Sequence, residues 1–145
     1  MDKLLEISNK ELVFVNEWYQ ANKLSLNICK TTYIIFKKNL SASIPPIATN
    51  NNVIKQVTST KFLGLHINNN MDWKEHIGVV SQKISRAIGI IRRTRCKLSS
   101  KTSMLLYGSL ILTQLTHCNI TWAATYKTAL TKLYILQKRA LKLCI

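Results

Sequence analysis

Apolar residues at helical spacing between positions 77 and 91 restrict the folds open to this chain more than any other feature. When the segment is wound at 3.6 residues per turn, six apolar side chains fall on one face of a helix. They are Ile77, Val80, Ile84, Ala87, Ile88 and Ile91. A helix with one apolar face is stable in water only when other elements cover that face, so this segment predicts a helical bundle.

Two later segments have the spacing of helices that would cover this face. Ser99 and Ser100 favour a helix start, and the pattern runs to about Cys118. A last helix is predicted from about Thr128 to the end of the chain. Its apolar seam consists of Leu130, Leu133, Leu136, Ala140, Leu141 and Cys144. The second half of the chain is therefore predicted to contain three helices.

The start of the first of these helices carries a capping pattern. Asp72 precedes Trp73, the first residue predicted to be helical, and Glu75 follows three positions after Asp72. A side chain such as Asp at the cap, with Glu three residues on, is typical of a capping box. We therefore expect Asp72 to cap this helix.

The first half of the chain combines one helix with short strands. Residues 2–21 have helical spacing, and residues 24–36 are rich in β-branched and aromatic residues. Residues 37–52 contain a Pro-Pro pair and an Asn run, which predict a loop. Residues 53–57 and 61–67 are predicted to form a hairpin. The predicted fold class is α+β, with a small antiparallel β element and one N-terminal helix, followed by the basic three-helix bundle.

The character of the sequence changes near residue 70. We therefore predict two segments, an α/β segment at 1–70 and a helical segment at 71–145. The apolar face of the N-terminal helix consists of Leu5, Leu12, Val15 and Tyr19. A sheet of two or three strands is only marginally stable alone, so the strands of the first segment need further partners.

Charge is distributed unevenly along the chain. The formal net charge is +15, yet the residues through Ile35 carry four Lys and four acids. After Glu75 there are twelve Lys and Arg and neither Asp nor Glu. A field of this kind attracts polyanions such as nucleic acid, and an acidic membrane surface is a second candidate partner. The alternative is a solvated surface that keeps the domain soluble.

Four basic residues gather opposite the apolar stripe, namely Lys83, Arg86, Arg93 and Lys97, whereas Arg95 projects to the apolar side. Arg92 lies on one flank of this group, and Ile90 interrupts it. Phosphates spaced along a groove would suit such an arrangement. The candidate nucleic-acid-binding residues are Lys83, Arg86, Arg92, Arg93 and Lys97. Three aromatic residues, Trp73, Trp122 and Tyr126, have the chemistry to stack on bases, although we favour their packing between helices.

The cysteines do not indicate a metal site. Cys29, Cys96, Cys118 and Cys144 are widely scattered, without paired ligand spacing. We expect free, buried thiols in a reducing intracellular compartment, the nucleus or the cytoplasm. The longest strongly apolar run, 104–112, is too short to span a bilayer, so we expect no transmembrane segment.

Five blocks of the sequence, in order, resemble one protein family. The blocks are EWYQANKLSLNICKTTYIIF, TSTKFLGLHINNNMDWKEHI, SQKISRAIGIIRR, LLYGSLILTQLTHCNITW and LYILQKRALKLCI. Together they resemble the C-terminal part of the reverse transcriptases of non-LTR retrotransposons, the LINE or jockey-like elements. The resemblance covers nearly the whole chain. It implies the end of the palm, the primer grip and a helical, thumb-like segment.

The resemblance also implies roles for particular residues. Phe62, Leu63 and Gly64 match the Phe-Leu-Gly primer grip. The residues Leu26, Asn27, Lys30 and Thr31 match the Leu-Asn-x-x-Lys-Thr palm motif. By this resemblance, Lys30 is a candidate general acid toward the departing pyrophosphate. An exposed solubilising lysine is the alternative at Lys30, and a bulge or a large neighbour is the alternative at Gly64.

The residues needed for polymerisation are incomplete in this sequence. Nucleotidyl transfer by this family uses two Mg²⁺ ions held by carboxylates, whereas Asp2 and Asp72 are the only aspartates of this chain. We therefore expect no cofactor in this chain and no polymerase activity from it alone, although the parent would be an RNA-directed DNA polymerase. The expected function is non-specific binding of primer-template RNA, DNA or hybrid. The upstream palm and fingers of the parent, which this chain lacks, are expected as a further partner. The alternatives are a helical module for an acidic protein or membrane surface, and a non-functional relic.

Overall fold

The structure is a computed structural model that describes residues 2–36, 46–49 and 52–145. It divides into two compact units. The first contains residues 2–36, 46–49, 52–60 and 68–71, and the second contains residues 61–67 and 72–145. The α+β fold class predicted from the sequence is confirmed.

Helix α1 (Asp2–Ala21) dominates the first unit. Its predicted bounds agree with the structure. Leu5 on its apolar face packs in a small core with Ile47 and Ile54. Asn9 joins the helix to the neighbouring strand, because its Oδ1 accepts a hydrogen bond of 3.1 Å from the backbone N–H of Ala48. Val15 was predicted on the same face but is 44% exposed, so only part of that face is covered.

The strands of the first unit are shorter than predicted and pair differently. Strands β1 (Thr32–Tyr33) and β4 (Lys55–Gln56) form a parallel pair, so the β structure is not purely antiparallel. Strands β2 (Ala48–Thr49) and β3 (Asn52–Val53) form an antiparallel pair. The prediction that 37–52 is entirely a loop is therefore wrong at β2; residues 37–45 and 50–51 lie outside the described residues.

Residues 24–36 were predicted to form a turn that leads into a strand. The turn is present, but the strand is shorter than predicted, because only Thr32 and Tyr33 are extended in a sheet. The N–H of Thr31 donates to the carbonyl of Asn27 over 3.0 Å, and that of Lys30 donates to the same carbonyl over 3.1 Å. The Asn27 side chain strengthens this turn by accepting from the Lys30 N–H at 3.2 Å. Local hydrogen bonds of this kind compete with a strand ladder and win here.

The second unit is helical. Helix α2 spans Lys74–Thr94 and is followed by a 3₁₀ turn at Arg95–Lys97. Helix α3 (Ser100–Tyr107) continues through a π-helical segment (Gly108–Leu112) into α4 (Thr113–Thr116). The remaining helices are α5 (Asn119–Trp122) and α6 (Lys127–Cys144). The three predicted helices are therefore confirmed, with α5 as an additional short helix.

The apolar stripe of α2 lies at the centre of this unit. All six of its residues are buried, and Ile84 is 0% exposed. They form one cluster with Ile111 of the π-helical segment, Trp122 of α5, and Leu133, Ala140 and Cys144 of α6. The stripe and the seam of α6 therefore pack as the sequence predicted. Ser99 caps α3, since its side chain accepts a hydrogen bond from the Thr102 N–H.

Two local predictions near the start of α2 are wrong. Strands β5 (Ser59–Phe62) and β6 (Leu65–Asn68) pair with each other, so the hairpin lies within the segment predicted to be a single strand. Helix α2 begins at Lys74 rather than Trp73, which has a left-handed φ of 57°. Asp72 Oδ1 still accepts from the Lys74 N–H at 3.1 Å. No capping box forms, because Glu75 instead faces His66 over 3.3 Å.

The prediction of buried thiols is correct for one of the four cysteines, Cys144. All four are free thiols, but Cys29, Cys96 and Cys118 are exposed. Burial raises the pKa of the Cys144 thiol. Across the described ranges, no helix is long and apolar enough to cross a membrane.

Candidate nucleic-acid interface

The Phe-Leu-Gly sequence forms the tip of the β5–β6 hairpin. Leu63 and Gly64 have φ angles of 47° and 88°, and two successive positive φ angles are the requirement of a type I′ turn. This turn accounts for a glycine in an otherwise apolar strand segment. Phe62 and Leu63 project outward, with exposures of 59% and 76%. The tip therefore exposes two large apolar side chains.

Gly64 is constrained by a neighbour as well as by its φ. A Cβ at this position would lie 3.3 Å from His117 Cε1. Within this chain the close neighbour is the His117 side chain, which is an observation in favour of the large-neighbour alternative, while the approach of a primer backbone stays a prediction. The backbone of His117 is held in place, because its carbonyl accepts a 2.9 Å hydrogen bond from the indole N–H of the buried Trp122.

The predicted basic residues are exposed on α2 and the turn after it. Lys83, Arg86, Arg92, Arg93 and Lys97 all have exposed side chains. Arg93 Nε donates to the Gly89 carbonyl at 3.3 Å. Lys83 Nζ donates to Gln114 Oε1 at 3.1 Å, which ties this lysine to α4. Ile90 interrupts the group as the sequence indicates and is 44% exposed.

The Leu-Asn-x-x-Lys-Thr motif belongs to the first unit and forms the turn that precedes β1. Asn27 and Lys30 are exposed, whereas Leu26 and Thr31 are half-buried. The Thr31 hydroxyl donates to the Asn27 carbonyl at 2.8 Å. The motif therefore has a structural role as a closed turn, with Lys30 left exposed at its end.

A cavity of about 250 Å³ adjoins the hairpin tip within the second unit. Gly64 lies at one wall, and α2 and α4 supply polar side chains to the others. The lining residues are Gly64, His76, Val79, Val80, Lys83, Gln114 and His117. Lys83 therefore connects the basic side of α2 to the glycine turn.

His76 is the buried polar residue of this cavity. It is 3% exposed and packs near the rings of Trp73 and Trp122, with centroids at 6.3 and 5.6 Å. Its Nδ1 accepts from the His66 backbone N–H at 3.4 Å, whereas its buried Nε2 has no hydrogen-bond partner in the part of the chain that the structure describes. Burial lowers the pKa of His76, and the neighbouring His66, His117 and Lys83 lower it further.

The aromatic residues divide between core and surface. Trp122 is buried in the helical core, and Trp73 packs against that core from its edge. The preference for packing is thus correct for both tryptophans. Tyr126 is 69% exposed, so packing between helices is the wrong expectation there. Among the described residues, no three His, Cys, Asp or Glu side chains group closely enough to hold a metal ion.

Three cavity residues were missed by the sequence reasoning, namely His76, Gln114 and His117. One usable signal was present for His76, which precedes Lys83 by seven residues, or about two helical turns. That spacing places both side chains on one side of α2. Gln114 lies in α4 and His117 directly follows it, and no sequence pattern connects them to Gly64.

Comparison with known proteins gives one informative likeness. The chain is 27% identical over 128 residues to the Retrovirus-related Pol polyprotein from type-1 retrotransposable element R1 of Bradysia coprophila. The aligned region makes up 86% of this chain and 13% of that protein, so the chain spans a small fraction of its relative. The likeness indicates a retrotransposon-related origin. No protein-family model and no solved structure matches the chain.

Proposed function

We propose that this chain binds the phosphate backbone of RNA, DNA or an RNA–DNA hybrid with little dependence on base sequence. In this proposal it corresponds to the end of the palm, the primer grip and the thumb-like part of a retrotransposon reverse transcriptase. The carrying observation is the exposure of Lys83, Arg86, Arg92, Arg93 and Lys97 in a segment without acids after Glu75.

The physical argument for a nucleic-acid partner is one of charge and shape. Exposed guanidinium and ammonium groups neutralise phosphates and release the counterions condensed on a nucleic acid. The exposed hairpin tip supplies apolar contacts at Phe62 and Leu63 without hydrogen-bonding groups that would read bases. Affinity without base specificity follows from this combination.

The proposal includes an absence of polymerase activity in the isolated chain. Asp72 is engaged at the start of α2 through the Lys74 N–H, which is a structural role. Lys30 is exposed at the end of its turn, where its ammonium is available to a phosphate. We therefore assign binding, not bond formation, to this chain, with Mg²⁺ and the catalytic carboxylates belonging to the parent enzyme.

The decisive measurement is the salt dependence of hybrid binding. We expect the logarithm of the association constant to fall linearly with the logarithm of salt concentration, with little change between unrelated sequences. Replacing both Arg86 and Arg93 with Gln removes two phosphate contacts. The double variant should weaken binding and reduce the slope by about two.

A matched control separates a local contact from a change in net charge. Lys101→Gln and Lys132→Gln together remove the same two charges from exposed positions on α3 and α6. This control should keep most of the wild-type slope. Equal losses in both double variants would show that the arginines of α2 have no special part, and binding that ignores salt would contradict the proposal itself.

A second candidate function has one observation in its favour. A surface groove of about 400 Å³ on α6 is lined by the apolar Ile135 and Leu143 and by the cations Lys138, Arg139 and Lys142. Apolar residues flanked by cations suit an acidic membrane surface. Sedimentation with anionic vesicles tests this function; binding to vesicles that RNA–DNA hybrid fails to displace would favour it over nucleic acid.

A further inference from the structure

Helix α1 carries a second row of apolar side chains, on the side away from its small core. The row consists of Leu4, Ile7, Phe14 and Trp18, with Glu11 in its middle, and its members are three or four residues apart. Each of the four apolar side chains is at least half exposed. Alternating steps of three and four residues are the heptad spacing of a helix that packs along another helix. A row about 21 Å long with this spacing indicates a surface for a partner.

The charges beside this row have a definite order along the helix. Lys3, Lys10 and Glu17 recur every seven residues on one flank of the row. Lys10 is paired within the helix, since its Nζ lies 3.1 Å from Glu6 Oε1. Lys3 and Glu17 are exposed and place opposite charges at the two ends of the same flank. Such a flank is complementary to itself when a second copy of α1 runs antiparallel, because Lys3 of each copy then lies beside the partner's Glu17.

The apolar row fits the same antiparallel arrangement. Leu4 and Ile7 of one copy meet the partner's Phe14 and Trp18, so both ends of the row are covered in both copies. Glu11 lies in the middle, where a two-fold axis brings the two carboxylates near each other. A charged residue at one seam position weakens a helix pair but fixes its register.

The distribution of charge favours α1 over the other long helices as a contact between copies. Two chains that each carry a net charge of +15 repel one another. Helix α1 contains four acids and two lysines, whereas cations outnumber acids in α2 and α6. A contact through α1 therefore brings together the parts of the two chains where this repulsion is weakest.

We propose that α1 forms a two-fold symmetric dimer of this chain, in which the two helices pack antiparallel along the row from Leu4 to Trp18. The dimer is independent of the proposed function, because none of its contact residues belongs to the basic set of α2. One helix face buries less than the about 800 Å² per partner of a standard interface. The dimer should therefore be weak, with a dissociation constant on the order of 10–100 µM.

Sedimentation equilibrium of the whole chain without nucleic acid, at concentrations of about 1–500 µM, tests for the dimer. We expect a reversible monomer–dimer equilibrium that tightens as salt rises, because salt screens the repulsion between two basic chains. Binding to a phosphate backbone weakens with salt instead, so the dimer and the proposed function can fail separately. A monomer at every concentration, or assembly that continues beyond the dimer, would overturn the inference. A monomer that binds anionic vesicles, and loses that binding in Ile7→Ala, would assign the row to a membrane instead.

Two aliphatic substitutions on α1 form a matched pair. Ile7 and Val13 are 50% and 47% exposed, but Val13 lies well away from the row on the helix surface. Ile7→Ala should weaken the dimer about tenfold, since a symmetric interface loses two equivalent side chains, and Val13→Ala should change it less than about twofold. Glu11→Gln should strengthen it by removing the like charges at the axis. Equal effects at Ile7 and Val13 in variants that keep the wild-type circular dichroism would count against the row as the interface.

Charge reversal at the two ends of the flank tests the antiparallel orientation. Lys3→Glu and Glu17→Lys should each weaken the dimer about threefold or more, because either change places like charges side by side at two symmetric contacts. An equimolar mixture of the two variants should associate about as tightly as the wild type, since every contact in the mixed dimer joins opposite charges again. Unchanged affinity in both single variants, or a mixture no tighter than its components, would refute the antiparallel dimer.

Discussion

At Gly64 two constraints of different origin coincide. The type I′ turn requires a positive φ, and His117 approaches to 3.3 Å of the position a Cβ would take. His76 shows a similar double constraint, since the ring is buried in the helical unit yet keeps an unpartnered Nε2. Gly64 and His76 line the same cavity. A positive φ angle and a buried ring nitrogen without a partner among the described residues therefore occur at one site.

Replacing Gly64 with Ala should destabilise the protein by about 1–2 kcal/mol, because an L-residue is strained at φ 88° and His117 must move. Urea denaturation measures the change. Gly78→Ala is the matched control, since Gly78 lies within α2 with no heavy atom within 4 Å of the added Cβ. That change should instead stabilise by about 0.5–1 kcal/mol. Destabilisation by both substitutions would contradict this account of the turn.

The buried imidazole predicts a pH dependence of stability. Burial, with His66, His117 and Lys83 nearby, lowers the folded-state pKa of His76 below its ordinary 6.5. The unfolded chain therefore binds the proton first as the pH falls, so the free energy of unfolding decreases below about pH 6.5 until the folded-state pKa is reached. Above that range His76 contributes no slope.

Denaturation at several pH values between 8 and 5 measures this effect. In His76→Gln the corresponding part of the decrease should disappear, because the substituted side chain does not titrate. Wild type and variant falling in parallel below pH 6.5 would assign the dependence to other groups.

At the scale of the element, α2 carries both the core and the candidate interface. Its buried stripe packs against the later helices, and its opposite side presents the cations. Exposed side chains are positioned more precisely on a rigid helix than on a loop. In the proposed function, phosphate binding therefore depends on the stability of α2.

Truncating Ile84 to Ala should destabilise the protein by about 2–5 kcal/mol, because the side chain is 0% exposed and its loss leaves a cavity. Ile90→Ala is a matched control on the same helix. Ile90 is 44% exposed, so the same truncation there should cost less than about 1 kcal/mol. Chemical denaturation compares the two variants. Similar costs at both positions would mean that the stripe is not the buried face.

At the scale of the whole molecule, the two units differ in how much apolar surface they bury. Among the described residues, the core of the first unit consists of Leu5, Ile47 and Ile54, with Leu12 and Tyr33 beside it. The second unit contains a much larger cluster centred on α2. Helix α1 also keeps several large apolar side chains exposed, including Phe14 at 64% and Trp18 at 59%.

This difference predicts unequal local stability. Backbone amides of α1 should exchange hydrogen through local opening at a free energy well below that of the amides of α2 and α6. Amide exchange measured by NMR or mass spectrometry gives the comparison. Ile84→Ala provides the internal control, since it should accelerate exchange in α2 more than in α1. Equal protection of α1 and α2 in the wild type would refute the prediction.

The helices were predictable because their signals are local and repeat along the chain. The stripe from Ile77 to Ile91 and the seam of α6 fix which face must be buried, and burial of large apolar side chains dominates the energy of folding. Ser99 gave the start of α3 for a similar local reason. The uneven charge likewise required no structure, since it follows from composition.

The strands and the cavity depended on tertiary structure. Residues 61–67 were predicted to form one strand because Leu63 and Gly64 do not break the apolar pattern of the segment. The turn at these two residues depends on their backbone conformation. The pairing of β1 with β4 joins segments distant in sequence, which no local preference specifies. His76, Gln114 and His117 meet Gly64 for the same reason. Local sequence determined the helices and the charge, whereas the site required contacts between residues that only packing brings together.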